Sequence, residues 1–185
     1  MSKRLITSAA VVAALAAVPA VALAEERTCR GTIGAATLDN VRVPDGASCT
    51  LNGTNVKGTV KVERGARLVA DGVRVVGNVQ GENAARVVVR GDSRVGGSVQ
   101  VKQGGSALVS GSRVTGDVQY DANREEVRIV RSTVNGNVQI VGNRGGVEVR
   151  NNTIDENLQC KENRPAPVGG GNRVGNNKED QCARL

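Results

Sequence analysis

The chain has 185 residues, of which 25 are basic and 18 are acidic, and its net charge is +7. It contains no histidine, tryptophan or phenylalanine and only one tyrosine. This composition excludes histidine-dependent acid–base catalysis and a core filled by aromatic side chains. The abundance of valine, glycine and asparagine is instead typical of short strands joined by tight turns.

The first 24 residues have the pattern of a secretory signal peptide. Lys3 and Arg4 precede an apolar run over residues 5–18, and a small-residue cleavage site ends at Ala24. A transmembrane anchor is the alternative, but the run is short for a bilayer span and Pro19 interrupts it. We therefore predict cleavage at about Ala24 and a secreted or periplasmic protein without a membrane span. The remaining 161 residues carry a net charge of +5, which permits an acidic partner without requiring one.

A short motif returns every 19 or 20 residues along the rest of the chain. It reads GTVKV at Gly58 and GNVQI at Gly136, and the units begin at residues 39, 58, 77, 97, 116, 136 and 156. Self-similarity at a fixed period indicates stacked units, none of which buries its apolar face alone. Apolar and polar residues alternate over two to four positions, which predicts short strands rather than helices.

These units predict an all-β fold, a single right-handed parallel β-helix of about seven coils. We assign residues 1–24 to the signal peptide, 25–38 to an N-terminal cap, 39–175 to the β-helix and 176–185 to a C-terminal cap or tail. Val134 and Val138 are predicted to point inward on either side of a corner, and Gln139 is predicted to point outward. The corner itself is assigned to Asn135 and Gly136, because both residue types tolerate positive φ.

The four cysteines are predicted to form disulfides near the two ends of the coil. An even number of cysteines in an exported chain indicates disulfides, with three possible pairings. Cys49 aligns with the inward position of Leu68 on the first coil, and Cys160 faces inward on the last. Because Cys29 and Cys182 lie about one coil further out, we predict the pairs Cys29–Cys49 and Cys160–Cys182. Free or metal-bound thiols are the alternative, which the absence of histidine and of a C-x-x-C motif disfavours.

Two outward columns carry side chains that could bind a ligand. The first is a series of amides, Gln80, Gln100, Gln119, Gln139 and Gln159. It is either a structural ladder of stacked amides or a carbohydrate-binding strip, in which Gln100, Gln119 and Gln139 would contact the ligand. The second column contains Arg74, Arg94 and Arg113, which repel one another unless an anion lies over them. The partner expected from this column is an acidic polysaccharide or cell-envelope polymer, and three solvated side chains are the alternative.

The sequence offers little for catalysis. Without histidine, acid–base chemistry depends on carboxylates, lysine, arginine or Tyr120, and Tyr120 falls in an inward column. The acidic residues are scattered at turns, and no D-x-D cluster indicates a calcium site. We expect no cofactor, no metal and no nucleic-acid partner.

The rhythm of the repeat resembles that of the bactofilin-type polymer-forming proteins. The matching stretches are VKGTVKV, VVGNVQG, VTGDVQY and VNGNVQI, within residues 39–159. This resemblance implies a bacterial right-handed β-helix with a scaffold role. The chain departs from it through the predicted signal peptide and the cysteines at its ends, since such filaments grow by stacking their ends. More loosely, the chain resembles the β-helices of exported polysaccharide lyases and adhesins.

Taken together, the sequence predicts a non-enzymatic exported β-helix that acts as a scaffold or binding protein on cell-envelope or extracellular polymers. The alternative is a small carbohydrate-active β-helix protein that binds or cleaves polysaccharide. A cleaving enzyme would need a cleft with convergent carboxylates, and the sequence has no long insertion to build one. The sequence leaves the oligomeric state open.

Overall fold

The computed structural model describes residues 25–185, which form a parallel β-solenoid of about eight turns. The predicted signal peptide, residues 1–24, lies outside the described residues. Each turn contributes up to three short strands, and each strand pairs in parallel with its equivalent in the next turn. The result is three sheets, here named A, B and C, that run along one axis. Residues 25–185 contain no helix that could span a bilayer.

Sheet A contains the strands that follow the glycine of the repeated motif. Its nine strands are β1 (Glu26–Thr28), β4 (Asn40–Val43), β7 (Val60–Val62), β10 (Val79–Glu82), β13 (Val99–Lys102), β16 (Val118–Asp121), β19 (Val138–Val141), β22 (Leu158–Lys161) and β25 (Lys178–Asp180). Alternate side chains point inward, because successive residues of a strand lie on opposite faces. As predicted, the column that runs from Val41 to Leu158 is buried in every turn.

Sheet B contains the longest strands and forms the second wall of the core. Its eight strands are β2 (Gly31–Ile33), β5 (Ser48–Asn52), β8 (Arg67–Asp71), β11 (Arg86–Arg90), β14 (Ser106–Ser110), β17 (Val127–Val130), β20 (Val147–Arg150) and β23 (Val168–Gly170). Its inward residues, such as Leu68, Val109 and Ile129, pack with the valines of sheet A in one continuous core. Burial of each such side chain contributes about 1.5–3 kcal/mol.

Sheet C closes each turn with strands of two residues. Its eight strands are β3 (Thr37–Leu38), β6 (Asn55–Val56), β9 (Arg74–Val75), β12 (Arg94–Val95), β15 (Arg113–Val114), β18 (Thr133–Val134), β21 (Thr153–Ile154) and β24 (Arg173–Val174). The second residue of each strand points into the core and the first points out. The outward residues of sheet C therefore form a single column along the solenoid.

The solenoid begins one turn earlier than the repeat predicts. Residues 25–38 form β1, β2 and β3, which pair with β4, β5 and β6 of the next turn. The alignment of repeats misses this turn because it lacks the glycine–valine motif. At the other end, β25 pairs with β22 and is followed by a turn that ends at Leu185, whose side chain packs against the core.

Two disulfides join the terminal turns to their neighbours, in the predicted pairs. Cys29 is bonded to Cys49, with a Cα–Cα distance of 5.6 Å, and Cys160 to Cys182, with 5.2 Å. All four cysteines are buried. Each bond closes a segment of about 20 residues, and such a crosslink contributes about 3 kcal/mol by restricting the unfolded chain.

The glycine of the motif is needed for a different reason from the one predicted. Neither Asn135 nor Gly136 is among the residues with positive φ, so that explanation of the corner is wrong. A Cβ atom on Gly136 would instead lie 2.9 Å from the backbone of Gly116 in the preceding turn. Glu156 occupies the same place one turn later, where the chain accommodates a side chain. Close stacking of successive turns therefore favours glycine at this corner.

Buried amides connect successive turns at the corner between sheets A and B. Asn143 is fully buried and donates from Nδ2 to the Tyr120 carbonyl at 3.0 Å and to Asn163 Oδ1 at 2.9 Å. Its own Oδ1 accepts from the backbone nitrogen and Nδ2 of Asn123, at 2.9 and 3.0 Å. The series ends at Gln181, whose Oε1 accepts from the Asn163 backbone nitrogen. These bonds satisfy backbone groups that would otherwise be buried without partners.

The other two corners have polar ladders of the same kind. In each, a side-chain oxygen accepts a hydrogen bond from a backbone N–H of the preceding or following turn. The corner between sheets B and C uses Ser93, Ser132, Asn152 and Asn172, and the corner between sheets C and A uses Asn40, Thr59, Asn78, Ser98, Asp117, Asn137 and Asn157. Turn residues therefore stabilise the stacking as well as the bends.

The assigned facing of side chains can be tested at two neighbouring positions. Val138 is fully buried between Val118 and Leu158, so Val138→Asp places an unpaired charge in the core. We expect it to lower the free energy of unfolding by at least about 3 kcal/mol. Gln139→Asp changes an exposed side chain and should cost less than about 1 kcal/mol. Urea unfolding followed by circular dichroism measures both, and equal losses would contradict the assigned faces.

The amide ladder can be tested in the same assay. Asn143→Ala leaves the Asn123 N–H without its partner and removes the side-chain hydrogen bond to the Tyr120 carbonyl, and we expect a loss of about 2–4 kcal/mol. The matched control is Asn135→Ala, at an exposed position. It should change the free energy of unfolding by no more than about 0.5 kcal/mol. A similar small effect for both variants would show that the ladder does not contribute to stability.

Candidate functional site

The outward column of sheet C begins with Thr37 and Asn55 and continues with three arginines, here called the arginine row. Arg74 pairs in register with Arg94, and Arg94 pairs with Arg113. All three side chains are exposed, and the column continues through Thr133 and Thr153. Since paired strands lie about 4.8 Å apart, the three guanidinium groups start from backbone positions at that interval. The structure thus confirms the column that the sequence predicts.

No carboxylate among residues 25–185 forms an ion pair with the arginine row, and one acidic residue, Asp92, lines the groove beside Arg94 and Arg113. None of the ion pairs within residues 25–185 involves Arg74, Arg94 or Arg113, and none of the three makes a side-chain hydrogen bond within that range. Elsewhere on the surface, arginines do have such partners, for example Arg90, which contacts Asp71 at 2.9 Å. The row is therefore a strip of positive potential that an external anion can neutralise.

A shallow depression lies on each side of the arginine row. One, of about 200 Å³, is lined by Val76, Gly96 and Thr115 as well as by the arginines. Val76 is 54% exposed and offers an apolar contact beside the charges. The other depression, of about 410 Å³, reaches from Arg94 and Arg113 to the corner between sheets B and C. An elongated ligand on the row would therefore lie between two grooves rather than on a flat surface.

The glutamine column forms the structural ladder that the sequence offered as one of two alternatives. Nε2 of Gln80 donates to Gln100 Oε1 at 3.2 Å, Gln100 donates to Gln119 at 2.9 Å, and Gln119 donates to Gln139 at 3.4 Å. At the C-terminal end, Gln159 donates to Glu179. Because Gln100, Gln119 and Gln139 bond to one another, fewer of their polar atoms remain for a ligand.

A surface depression of about 690 Å³ lies beside this ladder and has mixed charge. Its lining includes three basic and three acidic side chains, Lys61, Arg64, Lys102, Asp45, Glu63 and Glu82. Two of the acidic side chains are paired, since Arg64 contacts Asp45 at 3.1 Å and Lys61 contacts Glu63 at 3.7 Å. This depression therefore has no single sign of charge with which to select an anion.

The structure places Tyr120 in the core, as predicted. Its side chain is 1% exposed and its hydroxyl has no hydrogen-bond partner among the described residues. Burial raises the pKa of Tyr120, because the phenolate would lose its hydration. Such a group cannot reach a substrate. Residues 25–185 also contain no group of three or more histidine, cysteine or carboxylate side chains placed to hold a metal ion.

Two further groups of arginines were missed by the sequence reasoning. Arg124, Arg144 and Arg164 form a second row, each directly after a buried asparagine of the corner between sheets A and B. The recurring Asn-Arg pair was a signal that could have revealed this row. The other group surrounds Glu148 on sheet B. Its arginines occupy different positions of the repeat, so no single column of the alignment contains them.

The class of this protein is defined by its fold alone, because comparisons with known proteins found no match. No family model matches the chain, and no curated protein or solved structure matches it. The described residues define a parallel β-solenoid with a disulfide near each end. Disulfides are typical of non-reducing, extracytosolic compartments.

The burial of Tyr120 provides a spectroscopic test, because the chain has no other tyrosine and no tryptophan. In the unfolded chain the phenol ionises near pH 10, and in the folded protein its pKa is higher. This difference stabilises the fold at lower pH, and the contribution falls as pH rises above about 10. We expect phenolate absorbance to rise only together with loss of the circular dichroism signal. Absorbance that rises while the protein stays folded would show an accessible hydroxyl.

Proposed function

We propose that the protein is an exported, non-enzymatic β-solenoid that binds an acidic polymer of the cell envelope or the extracellular space. The observation that carries this proposal is the arginine row, three stacked and exposed arginines without carboxylate partners among the described residues. Export is supported by the two disulfides together with the predicted signal peptide.

A linear polymer fits this row better than an isolated anion does. The three charges repeat along a straight column, so one polymer chain can contact all of them at once. After the first contact, the second and third become intramolecular, which raises the overall affinity without any new type of bond. Release of counterions from the polymer adds a favourable contribution that weakens as salt is added.

An acidic polysaccharide or similar envelope polymer is a better candidate than a single-stranded nucleic acid. Proteins that bind single strands stack the bases on exposed aromatic side chains. The only aromatic residue of this chain, Tyr120, is buried. Beside the row, Val76 offers an apolar contact to the hydrocarbon surface of a polymer.

The ends of the solenoid favour a binding protein over a filament subunit. The inward valine column begins with Arg27, which pairs with Val41, and ends with Lys178, which pairs with Leu158. Both charged side chains are exposed where the core stops. A further subunit stacked on either end would bury a charge, and inward-pointing charges protect sheet edges from such pairing. In this respect we depart from the polymer-forming role that the resemblance to bactofilin-type proteins implies.

The carbohydrate-active alternative would use the depression beside the glutamine ladder. Glu63 and Glu82 line it together with Gln80 and Gln100, and amides pair well with sugar hydroxyls. Two of its three carboxylates are held in ion pairs, and the ladder engages the amides with one another. We therefore favour binding over cleavage and the arginine row over this depression.

The proposal predicts salt-sensitive binding that depends on the position of the arginines. The triple variant Arg74→Thr, Arg94→Thr and Arg113→Thr introduces the residue that already occupies the column at Thr133 and Thr153, so the fold should persist. We expect the wild type to bind an acidic glycan or a teichoic-acid-like polymer more weakly as salt is added. The variant should lose affinity by at least about tenfold at low salt. Titration calorimetry at low and moderate salt measures both.

A charge-matched control distinguishes the effect of the arginine row on binding from the effect of net charge. Arg124→Thr, Arg144→Thr and Arg164→Thr removes the same number of charges from the second row. Because Glu125, Glu126 and Glu162 lie beside these arginines in the chain, their local potential is less positive. This control should retain affinity within about threefold. Equal losses in the two triple variants, or no salt-sensitive binding by the wild type, would refute the proposed function.

A further inference from the structure

Four arginines surround a depression of about 330 Å³ on the outer side of sheet B. Arg90 lies at the end of β11, Arg128 on β17, Arg150 at the end of β20, and Arg131 directly after β17. The arginines come from three different turns of the solenoid and from both edges of the depression. One carboxylate, that of Glu148, lies among them. The lining of this depression is therefore strongly positive.

Carboxylates hold three of these arginines through one nitrogen each. Arg128 donates from Nε to Glu148 Oε2 at 2.6 Å, and Arg150 donates from Nε to Oε1 of the same carboxylate at 3.1 Å. Arg90 donates from Nε to Asp71 Oδ2 at 2.9 Å. Within residues 25–185, the terminal guanidinium nitrogens of these three arginines make no hydrogen bond. The arginines are thus oriented, while their terminal donors stay available.

The carboxylate that orients two of the arginines stays ionised near neutral pH. Burial alone would raise the pKa of Glu148, but the hydrogen bonds from Arg150 and Arg128 and their positive charges lower it by more. Its side chain is only 20% exposed, so the anchor is shielded from solvent. Because both of its oxygens are engaged, Glu148 fixes the arginines and presents little free charge to a ligand.

We propose that this depression is a second anion-binding site that takes a tetrahedral oxyanion, the sulfate or phosphate monoester group of a ligand. The planar forks of arginine match the oxygens of such groups, and charge-assisted hydrogen bonds of this kind are strong. Leu108 and Val130 also line the depression and give it an apolar part against which a non-polar portion of the ligand can lie. The site lies on a different face from the arginine row, takes a smaller ligand and does not depend on the proposed function. Arg131 also lines the groove of about 410 Å³ beside the row, whereas Arg90, Arg128 and Arg150 line neither groove.

Arg131 offers a variant that tests this site without disturbing the backbone. It carries a positive φ of 50°, and Asn151, which has a φ of 56°, occupies the same corner position one turn later. Asparagine adopts this left-handed conformation more readily than arginine. Arg131→Asn therefore removes one charge from the depression without adding backbone strain. Arg150→Gln provides a second variant, which shortens the side chain and removes its charge.

The experiment is a titration of the isotopically labelled oxidised protein with inorganic sulfate and, separately, inorganic phosphate, followed by amide NMR. Ionic strength is held constant by replacing chloride, so that general screening does not change. We expect saturable shifts in the amides of Ser110, Arg131 and Asn151, which line the depression. Arg131→Asn and Arg150→Gln should each lower the affinity by about fivefold or more. Arg144→Gln, an exposed arginine at another corner, should leave it unchanged.

Three outcomes would overturn the proposal. These are shifts that never saturate, shifts spread evenly over the exposed arginines of the chain, and saturable shifts that neither Arg131→Asn nor Arg150→Gln reduces. Because the probes are single anions, the result does not depend on whether a polymer binds the arginine row. A protein that binds sulfate here but no polyanion would support this site and refute the proposed function.

Discussion

Each residue of this solenoid pairs with its own equivalent in the next turn, and this in-register pairing determines which residues the chain can use. Valine on valine buries apolar surface, and amide on amide matches a donor to an acceptor. Glycine on glycine lets two backbones approach where a Cβ atom would collide, as at Gly136 and Gly116. Arginine on arginine brings none of these benefits, because like charges directly opposite one another repel.

The magnitudes explain how the fold tolerates such a row. Two exposed unit charges about 5 Å apart repel by only about 1 kcal/mol in water, and physiological salt screens part of that. A single buried valine contributes more than this, and the core contains columns of them. The solenoid therefore tolerates like charges in the outward column of sheet C. Arg74, Arg94 and Arg113 stack at a small cost that a bound anion would reverse.

The sequence predicted most of the features that repeat in a fixed column. The strands, the inward valines, the glutamine ladder, the arginine row and the disulfide pairs all follow from the period and the alternation of side chains. The first turn was missed because residues 25–38 lack the motif. The ladder of Asn123, Asn143 and Asn163 was missed because asparagine at a turn has an ordinary explanation in backbone conformation. The arginines around Glu148 were not predictable from columns, because side chains from different positions of the repeat converge only in three dimensions.

Under the proposed function, the charged residues Arg27 and Lys178 at the two ends of the valine column prevent another copy from stacking there. The number of repeats in one chain would then set the length of every outward column. The arginine row would then always contain three charges. A polyanion longer than the row gains no further contacts, so affinity should rise with oligomer length and then reach a plateau. Longer polymers would instead offer places for several protein molecules along one chain.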